Sequence, residues 1–183
     1  MSNIFTKAHN YLNRVHKKRT YKHRCRKLKI EYKPGVVIGK NVQIWGEAKV
    51  HLSEGSRIAD NCILWGNGDI YIGKRTSIGE NSMIYANKNG GVVFGDDSCT
   101  AVNLYLIDSN HLTAKDKLIS EQGFDSEKIV IGNDVWIGAN VTMIKGSSLG
   151  NGCVVGACSL VNKKFGEYVI IGGVPAKVLK NRE

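Results

Sequence analysis

An aliphatic side chain recurs every six residues along most of this chain: at Ile38, Ile44 and Val50; at Leu52, Ile58, Leu64 and Ile70; at Ile72, Ile78 and Ile84; and at Ile131, Ile137, Met143, Leu149, Val155 and Val161. The phase slips by two residues at the joins Val50/Leu52 and Ile70/Ile72. Between Ile84 and Ile131 the step survives at Phe94 and Leu106, with Thr100 as one polar rung. A helix buries every third or fourth residue and a half-buried strand every second, so a step of six belongs to neither alone. It belongs to a solenoid, in which one coil cannot bury its rung but stacked coils build a continuous apolar column. Each methylene in that column contributes about 0.8 kcal/mol.

The other positions of the hexad are filtered too. Gly follows the aliphatic residue at Gly39, Gly73, Gly79, Gly95, Gly132, Gly138, Gly150 and Gly156. Asn or Asp stands three after it at Asn41, Asn61, Asn81, Asp97, Asp134 and Asn140, and these residues tolerate left-handed backbone at a corner. Four after it comes a small or β-branched residue, such as Ser56, Cys62, Ser82, Val135, Ser147 or Ser159, as a second inward position in a narrow interior requires.

At 183 residues and 42% hydrophobic content, one domain with a real core is expected, and neither two large domains nor general disorder. No run of about 18 apolar residues is present, and the basic N-terminus lacks an apolar stretch of signal-peptide type, so a cytoplasmic protein is expected. The net charge of +10 is confined to one end: residues 1–33 hold eleven Lys or Arg against the single acid Glu31, and the remainder is neutral. The five cysteines (Cys25, Cys62, Cys99, Cys153, Cys158) include no Cys-x-x-Cys pair and are read as buried free thiols.

These tandem hexads resemble the hexapeptide-repeat transferases over roughly residues 36–175. The resemblance implies an all-β left-handed parallel β-helix of triangular coils; the left hand comes from the family alone, since the general crossover rule would give the right hand. The expected division is a basic helical segment at 1–33, the β-helix at 34–175 with an extruded loop at 112–128, and a tail at 176–183.

The repeat fails most widely between Leu106 and Ile131, where Asp108-Ser-Asn-His111 opens a polar stretch. Long interruptions in a compact repeat carry function or disorder. His111, the following loop and Ile131-Gly-Asn-Asp-Val-Trp136 resemble the acetyltransferase branch of the family, including galactoside, maltose, xenobiotic and capsular-polysaccharide acetyltransferases. The matching histidine there is the general base, a task suited to an imidazole that titrates near neutrality. By the same resemblance Trp136 stands beside the thioester. Ala139 and Ala157 line the pantetheine track, and Asn162, Lys163, Lys177 and Lys180 lie at the cofactor's edge, the lysines where relatives often carry Arg. Asp108 is read either as orienting the imidazole, as contacting the acceptor, or as a turn former; Asn87 is read as an acceptor contact or an ordinary turn residue. The family's homotrimer, with His111 of one chain facing Trp136 of the next, is implied.

The resulting expectation is an acetyl-CoA-dependent O-acetyltransferase acting on a sugar or surface-polysaccharide hydroxyl. N-acetylation of a sugar amine, xenobiotic acetylation and a non-catalytic scaffold are the alternatives. No metal is expected: a zinc carbonic anhydrase on this fold needs three histidines, and only His51 and His111 lie within the repeats. Ile4, Phe5, Ala8, Tyr11, Leu12 and Val15 fall on one face of a helix ahead of the basic run. That segment could cap the first coil or dock on an anionic membrane face; no nucleic-acid module is recognised.

Overall fold

The computed structural model describes residues 30–183. The basic segment, with Cys25 and its expected helix, lies outside the described residues apart from its last few positions. The described chain winds into a parallel β-solenoid with three strands per coil, the left-handed β-helix anticipated above. Sheet I has seven strands, from Glu31–Tyr32 through Lys49–Leu52, Asp69–Ile72, Val92–Phe94 and Ile129–Ile131 to Lys164–Phe165. Sheet II has eight and includes Cys99–Thr100, Trp136–Ile137, Val154–Val155 and Val169–Gly172, while sheet III has six, among them Gln43–Gly46, Ile63–Gly66, Met83–Ala86, Tyr105–Ile107 and Thr142–Ile144.

Nearly every rung of the six-residue series is buried; Ile44, in an early coil, packs against the core while half-buried. Ile58, Ile78 and Ile84 are inaccessible or nearly so, and Ile38, Ile58 and Ile78 stack in register. Thr100 is tolerated as a polar rung because its Oγ1 accepts the amide of Gly79 at 2.9 Å. The phase slips have a simple origin. In Lys49–Leu52 and Asp69–Ile72 two residues of one strand point inward, Val50 with Leu52 and Ile70 with Ile72.

The corners follow the chemistry of the hexad. Asn41, Asn61, Asn81, Asp97, Asp134 and Asn140 all have φ between 53° and 60°. Along the corner from sheet II to sheet III, the Asn41 amide donates to Asn61 (3.1 Å), Asn61 to Asn81 (3.2 Å) and Asn103 to Asn140 (2.9 Å). Arg75, Asn103, Cys158 and Tyr168 adopt the same conformation without having been expected to. Stacking imposes the corner on whatever residue occupies it. At Arg75 a two-pronged ion pair with Asp97, both contacts at 2.5 Å, secures the guanidinium.

Three expectations are corrected. The solenoid starts at Glu31 rather than 34, because Glu31–Tyr32 pairs with His51 and Leu52. Residues 176–183 are no loose tail: Lys177–Asn181 folds back antiparallel on Val169–Gly172, covering the open edge that the last strand of sheet II would otherwise expose. Cys62 and Cys153 are buried, and burial pushes both thiols up, but Cys99 and Cys158 are exposed. Cys99 occupies an outward strand position and Cys158 a corner.

Sheet III differs from the other two in its chemistry. Among the described residues no strand of it contains a charged residue, whereas sheet I carries Glu31, Lys49, Asp69 and Lys164, and sheet II carries Arg57, Lys177 and Lys180. Its outer surface bears an aromatic column in register: Trp45 meets Trp65 edge-on at 6.0 Å, and Trp65 meets Tyr85 at 5.1 Å. Among the described residues no helix is long and apolar enough to cross a membrane.

Candidate functional site

The corner from sheet III back to sheet I is the one at which regularity fails. There the chain makes the turn 87–91 in one coil and extrudes a hairpin in the next, Ser109–His111 pairing antiparallel with Phe124–Ser126. His111 ends the first of these strands, opposite Phe124, exposed, with its ring 4.4 Å from the Phe124 ring. Beyond it the loop is exposed; Gln122 braces it by accepting the Ala114 amide and donating to the carbonyls of Ala114 and Lys117.

Asp108, fully buried, is the anchor of this corner. Its carboxylate accepts the amide of Asn87 (3.0 and 2.8 Å) and that of Gly91 (2.5 Å), and its carbonyl accepts the amide of Glu127 at 2.9 Å. Burial raises the Asp108 carboxyl above the ordinary carboxylate range, while these amides and Ser109 pull it the other way. Gly90 must lack a side chain here, since a Cβ would lie 2.2 Å from Asp108 Oδ2. Asp108 and Asn87 are thus brought together from adjacent coils. The carboxylate's hydrogen bonds go to the turn beneath the hairpin, and Asp108 acts as its structural clamp.

Trp136 projects from sheet II, 55% exposed, in register between Cys99 and Val154. Ala139 and Ala157 lie on the corner that follows it. The Ala139 carbonyl accepts the Cys158 amide at 2.8 Å, and a Cβ on Gly138 would fall 2.7 Å from the Ala157 nitrogen, so the coils are tightly stacked there. Asn162 and Lys163 are exposed on the same corner as the hairpin, with Lys163 Nζ 5.3 Å from the Phe165 ring centre. Lys177 and Lys180 are exposed on the final strand at the edge of sheet II.

Since the three sheets follow one another around each coil, the corner between sheets III and I faces away from sheet II. His111 and Trp136 of one chain therefore lie on opposite sides of the prism. His51 sits apart on sheet I, stacked on Tyr71 at 4.2 Å and near parallel, with Nε2 2.8 Å from Asp69 and Nδ1 3.4 Å from Glu31. Among the described residues no group of three or more His, Cys, Asp or Glu could hold a metal ion.

Sequence reasoning passed over Phe124, Asp125 and Lys145. The Lys145 ammonium contacts the Asp125 carboxylate, and Lys164 Nζ lies 3.1 Å from Glu127 Oε1. The one available signal was Lys145 itself, a cation two residues after the rung of Met143 and one coil on from Asp108.

Residues 128–163 match the bacterial transferase hexapeptide family model (six repeats). The chain is 39% identical over 97 residues to a putative lipopolysaccharide biosynthesis O-acetyl transferase, WbbJ, of Escherichia coli K12, covering 49% of this chain and 50% of that protein. It is 51% identical over 53 residues to a chloramphenicol acetyltransferase of Klebsiella aerogenes, covering 29% of this chain and 25% of the relative. The chain thus spans half or less of the length of these curated relatives. Among solved structures, AntD, an N-acyltransferase from Bacillus cereus in complex with dTDP and 3-hydroxybutyryl-CoA, superposes with a TM-score of 0.75 at 23% identity, covering 88% of each chain.

Proposed function

We propose, from the match of residues 128–163 to the bacterial transferase hexapeptide model, that this chain transfers an acetyl group from acetyl-CoA to a hydroxyl of a sugar or glycan, with His111 as general base. The observation that carries the proposal is the placement of His111. The imidazole is exposed at the tip of a paired strand, and the base of that strand is fixed by the buried Asp108 clamp. The similarity to a putative lipopolysaccharide biosynthesis O-acetyl transferase supports the choice of acceptor.

A sugar hydroxyl is far too weak an acid to ionise near neutral pH. His111 accepts its proton as the oxygen attacks the thioester carbonyl; the tetrahedral intermediate then collapses, and the imidazolium returns the proton to the departing CoA thiolate. Neither an acyl-enzyme nor a metal is required by this sequence of steps. The residues at hand suit the donor. Ala139 and Ala157 leave the backbone of their corner open to a pantetheine chain, while Lys163, Lys177 and Lys180 supply point charge for phosphates.

Opposite placement of His111 and Trp136 supports a site shared between chains. Uncharged sheet III, which borders the corner carrying His111, supports self-association: an outer face with Trp45 and Trp65 at 43% and 42% exposure is the kind of surface proteins cover. A cyclic trimer brings the His111 corner of one chain to the Trp136 face of the next.

The test is release of CoA thiol from acetyl-CoA against sugars, nucleotide-sugars, oligosaccharides and amino sugars, comparing the parent with His111→Ala. Hydroxyl-dependent release that falls by about two to four orders of magnitude in the variant supports the reading. Release only with amines overturns the acceptor assignment, and equal rates for the two proteins overturn the role of His111.

A further inference from the structure

The hairpin that carries His111 is joined to the solenoid by more than its own two ends. Asp125 stands opposite Asn110 on the return strand, one position from the Phe124 that packs against the His111 ring. Its carboxylate meets the ammonium of Lys145, which follows Ile144; Ile144 stacks directly on Ile107, the residue before Asp108. The Lys145 side chain is only 22% exposed, so the solenoid wall holds it while Asp125, at 54%, reaches in from the loop. Two more contacts reinforce the seam: the Gly146 amide donates to the Glu127 carbonyl at 3.2 Å, and Lys164 pairs with Glu127.

The geometry points to Lys145 and Asp125 as positioning residues for His111, an ionic latch that sets where the hairpin presents the imidazole. This inference rests on the proposed role of His111 as general base. Neither partner touches the imidazole; the effect passes from Lys145 through Asp125 and Phe124 to the His111 ring. A half-exposed ion pair adds little to global stability. A general base displaced by about an ångström, however, loses on the order of a hundredfold in rate. The latch is therefore expected to act on turnover and leave melting almost untouched.

The full chain is compared with Asp125→Asn, Lys145→Met, Lys145→Arg and the charge-swapped pair Asp125→Lys/Lys145→Asp. Amide hydrogen exchange across 109–126 reads the latch without turnover. Faster exchange is expected in the two neutral variants, with protection kept in Lys145→Arg and regained in the swapped pair. In the acetyl-transfer assay kcat should fall roughly ten- to a hundredfold in the neutral variants, with KM for acetyl-CoA, thermal midpoint and the pH of half-maximal rate unchanged. Unchanged exchange in both neutral variants overturns the latch. Lost protection with kcat within twofold of the parent overturns the positioning role alone, and independent, additive losses show that Lys145 acts through some other group. An inactive parent would count against the base assignment, and the exchange data would still decide whether the latch exists.

Discussion

Asn87 donates its backbone amide to both carboxylate oxygens of Asp108, at 3.0 and 2.8 Å, across adjacent coils of the solenoid. With Gly91 as second donor, this clamp fixes the turn on one coil to the root of the His111 hairpin on the next. Replacing Asp108 by Asn puts an amide group where an acceptor is needed. A buried donor facing donors costs about 1–3 kcal/mol. Denaturant unfolding should show that loss, and transfer activity should fall with it, because the hairpin root is no longer defined.

Burial raises the Asp108 carboxyl, and the sign of its pH effect follows. Between the ordinary carboxylate value and the raised one, the folded chain holds a proton that the unfolded chain has released. Stability contributed at this position is therefore highest at low pH and declines as pH rises through that window. The free-energy difference between parent and Asp108→Asn, measured from the acid limb to neutrality, should move in the variant's favour as pH increases. A difference that moves the other way would mean the amide bonds from Asn87 and Gly91 outweigh desolvation.

Much of this corner was out of reach for sequence reasoning, for identifiable reasons. The rungs and the six Asn or Asp corners were legible because each answers a local demand, burial in a narrow interior or a left-handed φ. Asp108 and Asn87 could be singled out by position, yet their bond spans a coil, and only knowing which residues stack reveals it. The Lys145–Asp125 pair is hidden for the same reason, and the contact between Phe124 and His111 depends on a hairpin that no turn signal announces. Arg75, Cys158 and Tyr168 show the converse case, in which the stack dictates a conformation the residue type does not advertise.

Cys158 offers a stabilising substitution. It closes the asparagine ladder with φ 58°, and its Sγ is only a weak 3.9 Å partner for the Asn140 amide. Asn tolerates this conformation and accepts that hydrogen bond properly. Cys158→Asn should raise stability by up to about 1 kcal/mol, measured as a shift in the denaturation midpoint at constant slope.

Thiol labelling checks the burial assignments. In the folded chain with Cys25 replaced by Ser, Cys99 and Cys158 should react rapidly with a disulfide reagent, and Cys62 and Cys153 only on unfolding. Fast labelling of all four would mean that the coils holding Cys62 and Cys153 open far more readily than their packing implies.

Opposite placement of His111 and Trp136 makes the sharpest test one of complementation. If each site draws His111 from one chain and Trp136 from its neighbour, His111→Ala and Trp136→Ala proteins are each impaired alone. Unfolded together and refolded as a mixture, they create interfaces at which both residues are intact. Random assembly of equal amounts gives about a quarter of such interfaces, so activity should return to about a quarter of the parent's. A mixture no more active than the two components measured separately would place both residues' work within single chains, in conflict with a prism that sets them on opposite sides.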